Sequence, residues 1–122
     1  MAYDTYTSLN IKSSEFTDLS VRAKIKLNLT RKTGIKTGYR PNHVFEYNDN
    51  GNLNTFIGEI QFDKDKTLLP GEEGIVKVRF LFTMPLEKYI NIGRQWFIHE
   101  GKYKIGEAEI IEIIEQPSVL LE

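Results

Sequence analysis

The segment Arg31–Pro41, RKTGIKTGYRP, contains the residues of this chain that are best suited to bind a charged ligand. Within eleven residues it holds four cationic side chains, two glycines and one proline. The cations are Arg31, Lys32, Lys36 and Arg40. Clustered Lys and Arg side chains bind phosphates, and a guanidinium can hold a phosphate with two parallel hydrogen bonds. The segment is therefore a candidate anion-binding loop.

The same segment also has a purely structural interpretation. Gly34 and Gly38 can supply positive φ angles, and Pro41 stops strand pairing. Tyr39 and Arg40 could equally cover the end of a folded domain, with the guanidinium bonding backbone carbonyls. The residues alone therefore favour a structural turn built on Gly34, Gly38, Tyr39 and Pro41 over a phosphate site.

Catalytic chemistry has little support among the other titratable residues. The chain has two histidines and no cysteine, which excludes a Cys nucleophile, a disulfide and a thiolate metal site. His99 and Glu100 are neighbours in a predicted strand, where successive side chains point to opposite faces. His43 stands alone, and no nucleophile-elbow motif is present. We expect no enzymatic activity.

Metal and nucleotide sites are not expected either. Asp63 and Asp65 alternate with Lys64 and Lys66, which neutralise the two carboxylates. No G-x-x-x-x-G-K-[ST] motif is present, so the loop that cradles nucleotide phosphates is missing. The sequence therefore predicts no cofactor, no metal and no bound nucleotide.

Charge is distributed unevenly behind a formal net charge of -1. Between residues 22 and 45 there are seven Lys or Arg and no acidic residue, whereas five Glu and no Lys or Arg follow residue 106. A local basic stripe can form a positive patch on a nearly neutral chain. Because salt screens charges beyond about 8 Å, only cations that fold close together contribute to such a patch.

Length and composition predict one globular domain. The chain has 122 residues, of which 40% are apolar and 27% are charged. No apolar run approaches the roughly 20 residues that span a bilayer, and the N-terminus lacks the basic flank and apolar core of a signal peptide. We expect a cytoplasmic protein that does not associate with membranes.

Alternating apolar and polar residues predict strands on both sides of the basic segment. Residues 23–30 alternate strictly, which indicates a strand with Leu29 on its buried face and Lys24 and Lys26 toward solvent. Further strands are predicted at 43–47, 55–62, 75–84, 94–100 and 105–114. The last also fits helical spacing, although its isoleucines favour a strand. Gly58 suggests a bulge or a close approach. The pattern predicts an all-β sandwich or closed barrel.

Three blocks of the sequence resemble the C-terminal (third) domain of elongation factor Tu, the GTPase that carries aminoacyl-tRNA to the ribosome. RKTGIKTGYRP is similar to a family segment that runs Arg-His-Thr-Gly, three variable residues and Gly-Tyr-Arg-Pro. LLPGEEGIVKVRF (68–80) and GRQWFIHEGKYKIGEAEI (93–110) resemble two later blocks in the same order. The resemblance implies a six-stranded antiparallel closed β-barrel at residues 22–122, preceded by an N-terminal extension at residues 1–21.

The resemblance also implies RNA binding without GTP hydrolysis, because the GTPase domain and middle barrel of the family have no counterpart here. In the family, this domain contacts the T-stem backbone of tRNA through the basic loop and a Glu-Gly turn. The positions that match are Arg31, Thr33, Arg40, Glu100 and Gly101. Lys32 replaces a frequent His, and Lys36 adds a cation to the same loop. These seven residues are the candidate RNA-binding residues.

Other positions depart from the family pattern. Asn42 replaces a Gln, and Ile57 replaces a Thr that can hydrogen-bond RNA. Met84 occupies the place of a commonly basic residue, and Tyr103 interrupts a turn of small residues. These departures remove two side-chain contacts that the family uses.

Two alternatives stay open beside RNA binding. A lone third domain can be a protein-interaction module that binds a translation protein, or an inhibitor or immunity protein. The basic face can also meet the acidic stretch EAEIIEIIE (107–115) of a neighbouring copy in an oligomer. The candidate partners are therefore tRNA or other RNA, a protein of the translation machinery, or a second copy of the chain.

Overall fold

The computed structural model describes residues 19–51, 53–64, 66–80 and 86–115. The strands are β1 (Leu19–Leu27), β2 (Ile35–Lys36), β3 (Asn42–Tyr47), β4 (Leu53–Gln61), β5 (Thr67–Leu68), β6 (Glu73–Phe80), β7 (Gln95–Glu100) and β8 (Tyr103–Glu115). A short 3-10 helix, Leu86–Tyr89, lies between β6 and β7. Residues 1–18 of the predicted extension, Asp65, and the end of the predicted strand 75–84 with Met84 lie outside the described residues.

Six strands close into an antiparallel barrel in the order β1-β6-β4-β3-β7-β8, and β8 pairs back onto β1. The predicted fold class, an all-β closed six-stranded barrel, is confirmed. Residues 105–114 are strand rather than helix, because β8 pairs with β1 on one side and β7 on the other. Closure leaves these strands without the open edges of a flat sheet.

The β1 strand is offset from its predicted range of 23–30. It begins at Leu19 and ends at Leu27, because the chain then enters a turn in which the backbone N–H of Arg31 donates to the Asn28 carbonyl at 3.3 Å. The prediction that Leu29 is buried is therefore wrong, and this side chain is 79% exposed.

A two-stranded sheet outside the barrel was not predicted from the sequence. Its strands β2 and β5 are antiparallel and pair Ile35 with Leu68 and Lys36 with Thr67. Both Ile35 and Leu68 are buried in the main core. The small sheet thus attaches the basic segment to the barrel through an apolar pair.

The core is filled by the inward side of the barrel strands. Alternate residues of β1 point inward, which agrees with the period of two in the sequence. An aromatic cluster occupies the centre, where the Phe45 ring stacks on Trp96 and on Tyr89 with centroid distances of 5.1 and 5.0 Å. Its largest member, Trp96, is fully buried.

A histidine is built into this core as a neutral side chain. His43 is fully buried, and its Nδ1 accepts a hydrogen bond from the Trp96 indole N–H at 3.0 Å. The other nitrogen, Nε2, therefore carries the proton and donates to the Gly58 carbonyl at 3.0 Å. A Cβ on Gly58 would lie 2.9 Å from that Nε2, which confirms the predicted close approach at this glycine.

Burial lowers the pKa of His43 from 6.5 to about 4, and the hydrogen bond to Gly58 opposes the shift only partly. Above pH 6.5 the imidazole is neutral in both the folded and the unfolded chain. Below pH 6.5 the unfolded chain binds a proton at His43 that the folded protein does not bind. The free energy of unfolding therefore decreases as the pH falls from 6.5 to about 4, by about 3 kcal/mol in total.

We expect the variant His43→Gln to lose this part of the pH dependence. Urea unfolding at pH 7 and pH 4.5, followed by the fluorescence of the single Trp, measures the free energy of unfolding of both proteins. The difference between the two pH values should be about 2–3 kcal/mol smaller in the variant, even if the variant is less stable throughout. Equal differences in the two proteins would contradict the assignment.

Candidate functional site

The predicted site residues gather at one end of the barrel, which we call the loop end. It consists of the segment 28–41 after β1 and the turns 69–72 and 101–102. Two backbone donors tie these turns to the barrel: Gly71 N–H donates to the Leu27 carbonyl at 2.9 Å, and Gly101 N–H donates to Asn42 Oδ1 at 3.1 Å. The basic segment and the Glu-Gly turn are therefore neighbours, as the resemblance implies.

The basic segment follows a fixed path across the barrel rim. Gly38 N–H donates to the Ile60 carbonyl, and Ile60 N–H donates to the Tyr39 carbonyl, both at 2.8 Å. Gly38 has a φ of 93°, which confirms the predicted positive φ at this position. The same prediction for Gly34 is wrong, because its φ is not positive. Glycine is required at this position because there is no space for a side chain. A Cβ there would lie 2.5 Å from the Leu68 carbonyl oxygen.

Arg31 is held inside the protein by several acceptors. Its Nη1 donates to Thr33 Oγ1 at 2.9 Å and to the Gly34 carbonyl at 3.1 Å, and its Nη2 donates to Glu100 Oε2 at 2.6 Å. The Tyr39 hydroxyl donates to the same Glu100 oxygen. The guanidinium carbon lies 5.5 Å from the Tyr39 ring centroid, and the Arg31 side chain is only 16% exposed.

These contacts divide the predicted RNA-binding residues into two groups. Arg31, Thr33 and Glu100 come together as the sequence predicts, but they bind one another. The sequence suggested that the Arg40 guanidinium bonds backbone carbonyls. In the structure Arg31 makes such a bond, to the Gly34 carbonyl. Gly101 serves the turn, with a φ of 60°. The Arg31–Glu100 pair is thus a structural lock on the loop end.

Three cations of the segment remain directed to solvent. Lys32, Lys36 and Arg40 are exposed and form no ion pair within the part of the chain that the structure describes. Each belongs to a loop whose backbone is fixed at Tyr39 and at the β2–β5 pair. These three side chains are the available anion-binding groups of the segment.

The basic residues of β1 differ, because they face carboxylates of β8. The register of the two strands sets Arg22 opposite Glu112, Lys24 opposite Glu109 and Lys26 opposite Glu107. Arg22 Nε lies 2.9 Å from Glu112 Oε1. The neighbouring Lys104, by hydrogen bond and charge, and Lys26, by charge, lower the pKa of Glu107. The basic stripe and the acidic stretch that the sequence separates are therefore adjacent within one chain.

Exposed apolar side chains also lie at the loop end, and sequence reasoning did not assign them to the site. Leu29 is 79% exposed, Tyr103 is 77% exposed and Leu69 is 50% exposed. The departure of Tyr103 from the family turn was the one sequence signal that could have pointed to this surface. The loop end thus combines cations with large apolar groups.

Within the described ranges, no group of three or more His, Asp or Glu side chains could hold a metal ion. No helix among these residues is long and apolar enough to cross a membrane.

No protein-family model matches the chain, and no curated protein matches it at a significant level.

We predict that Arg31→Ala destabilises the protein more than Arg40→Ala. Arg31→Ala removes a mostly buried guanidinium together with its hydrogen bonds to Thr33, Gly34 and Glu100. We therefore expect the free energy of unfolding to fall by about 1–2 kcal/mol. Arg40 is exposed, so its replacement should stay within about 0.5 kcal/mol. Urea unfolding of both variants measures the two values. An Arg31 variant as stable as the Arg40 variant would refute the structural lock.

Proposed function

We propose that this chain is a non-catalytic binding module, similar to the third domain of elongation factor Tu, that binds the phosphate backbone of RNA at its loop end. The observation that carries the proposal is the contrast between two sets of cations. Those of β1 lie opposite carboxylates of β8, and Arg22 pairs with Glu112 at 2.9 Å. Lys32, Lys36 and Arg40 are exposed, have no β8 carboxylate opposite them and form no ion pair among the described residues. The closed six-stranded barrel, which the resemblance also implies, supports the proposal.

The positions of the two histidines support the absence of catalysis. His43 has both ring nitrogens in hydrogen bonds inside the core. His99 is nearly fully buried, and its Nε2 lies 2.7 Å from the Tyr47 hydroxyl oxygen. A general acid or base must reach its substrate, and neither imidazole is directed to solvent.

Binding through lysine and arginine contacts to phosphates is independent of sequence and sensitive to salt. Three phosphate contacts should lower the affinity for RNA by about 20- to 40-fold between 50 mM and 200 mM salt. A gel-shift titration with tRNA at these two salt concentrations measures the effect. Absence of binding at 50 mM salt would contradict the proposal.

A matched pair of double variants locates the contact. Lys36→Ala with Arg40→Ala should weaken tRNA binding at 50 mM salt and reduce the slope of log affinity against log salt by about 2. Lys24→Ala with Lys26→Ala changes the net charge equally but affects cations that face β8. This control should bind like the parent protein. Equal losses in both variants would indicate only a general charge effect.

Binding of a protein partner is a second candidate, favoured by the exposed Leu29 and Leu69 at the same end. Neighbouring exposed apolar groups are a feature of protein-interaction surfaces. A pull-down from RNase-treated lysate tests this candidate. The parent protein and the variant Ile92→Asp should both retain the same protein partner. The partner should be lost with Leu29→Asp. Ile92 is a suitable control because it is 63% exposed beyond the opposite end of the barrel.

A further inference from the structure

Tyr103 presents an aromatic ring to solvent between two lysines of the sequence. It is 77% exposed at the first residue of β8. Its neighbour Lys102 is also exposed, whereas Lys104 Nζ pairs with Glu107 Oε2 at 2.6 Å. An exposed aromatic ring beside cations is the combination that binds unpaired nucleotides, since the ring stacks on a base while the cations contact phosphates.

The backbone that carries Tyr103 is fixed. In the register of β7 and β8, Tyr103 lies directly opposite Glu100, across the two-residue turn 101–102. Glu100 accepts hydrogen bonds from Arg31 and Tyr39, and Gly101 N–H donates to Asn42. A tyrosine has few rotatable bonds, so its ring on this anchored hairpin loses little entropy when it binds.

An open pocket of about 300 Å³ lies against Tyr103. Its lining includes Asn28, Thr30, Arg31, Glu100 and Lys104. The pocket therefore sets an aromatic side chain beside hydroxyl, amide and ionic groups. A nucleobase has the matching form, because it presents an apolar π-face and a hydrogen-bonding edge.

We propose that Tyr103 stacks on an unpaired nucleobase, so that the protein prefers RNA with an unpaired nucleotide to fully paired RNA. This inference rests on the proposed function, since the phosphate contacts of Lys32, Lys36 and Arg40 would hold the backbone nearby. In an A-form duplex both faces of a base are covered by its stacked neighbours. Away from the duplex ends, an unpaired base is the one that leaves a face free for the Tyr103 ring.

The test uses two RNA duplexes of the same sequence, one fully paired and one with a single bulged 2-aminopurine. At 50 mM salt the parent protein should bind the bulged RNA more tightly and quench the 2-aminopurine fluorescence. Tyr103→Ala should lower the affinity for the bulged RNA by about 5- to 150-fold, the range for loss of one stacked base. It should leave the affinity for the paired RNA within about twofold and abolish the quenching.

Two further variants complete the design. Tyr103→Phe keeps the ring and should retain both the preference and the quenching. Ile92→Ala, an exposed apolar side chain beyond the opposite end, should behave like the parent protein. Urea unfolding checks that each variant is folded.

The outcomes separate this inference from the proposed function. If neither RNA binds at 50 mM salt, the proposed function fails and the inference fails with it. If both RNAs bind and Tyr103→Ala has no effect, or weakens both equally, RNA binding stands and the stacking inference is overturned. Loss of affinity and quenching for the bulged RNA alone supports the inference.

Discussion

The pairing of β1 with β8 is the interaction on which the rest of the structure depends. It joins the two ends of the strand order and closes the barrel. Gly106 is needed for this contact, because a Cβ there would lie 2.7 Å from the Lys26 carbonyl oxygen. Closure brings the β7–β8 hairpin beside the segment that follows β1, and Glu100 then lies within hydrogen-bond distance of Arg31. The geometry of the loop end is thus a consequence of closure.

Closure also decides which cations are available to a partner. The cations on β1 point outward in alternation, and the neighbouring strand places a carboxylate opposite each of them. Such exposed pairs add little stability, but they reduce the positive potential of this face. Of the loop cations, Lys36 lies opposite the uncharged Thr67 in the β2–β5 pair. Glu59, which the antiparallel Tyr39–Ile60 bridge sets nearest Arg40, is paired with Arg79 at 3.8 Å. Of the seven basic residues between positions 22 and 45, the exposed ones that have no β8 carboxylate opposite them are therefore Lys32, Lys36 and Arg40 of the loop end.

Local patterns in the sequence predict the strands well, and they fail where contacts are long-range. Alternation identifies the main strands, and isoleucine content correctly assigns β8. The sequence alone could not show that Arg31 binds Glu100 or that Glu112 faces Arg22, because barrel closure creates both contacts. It also placed Leu29 in the core, since alternation continues into the turn that ends β1, where Arg31 N–H donates to the Asn28 carbonyl. The sequence thus indicated which residues lie near one another at the loop end, but it did not show that Arg31 and Glu100 bind each other.

The lock between Arg31 and Glu100 removes one cation from the candidate site and yet favours binding by the others. A mobile basic loop would lose conformational entropy on meeting a ligand, at about 0.5–1.5 kcal/mol for each ordered side chain and more for the backbone. Here the backbone is already held by the lock, by the Tyr39–Ile60 bridge and by the β2–β5 pair. The exposed cations and Tyr103 therefore project from a prearranged rim, and only their side chains remain to be ordered by a bound ligand.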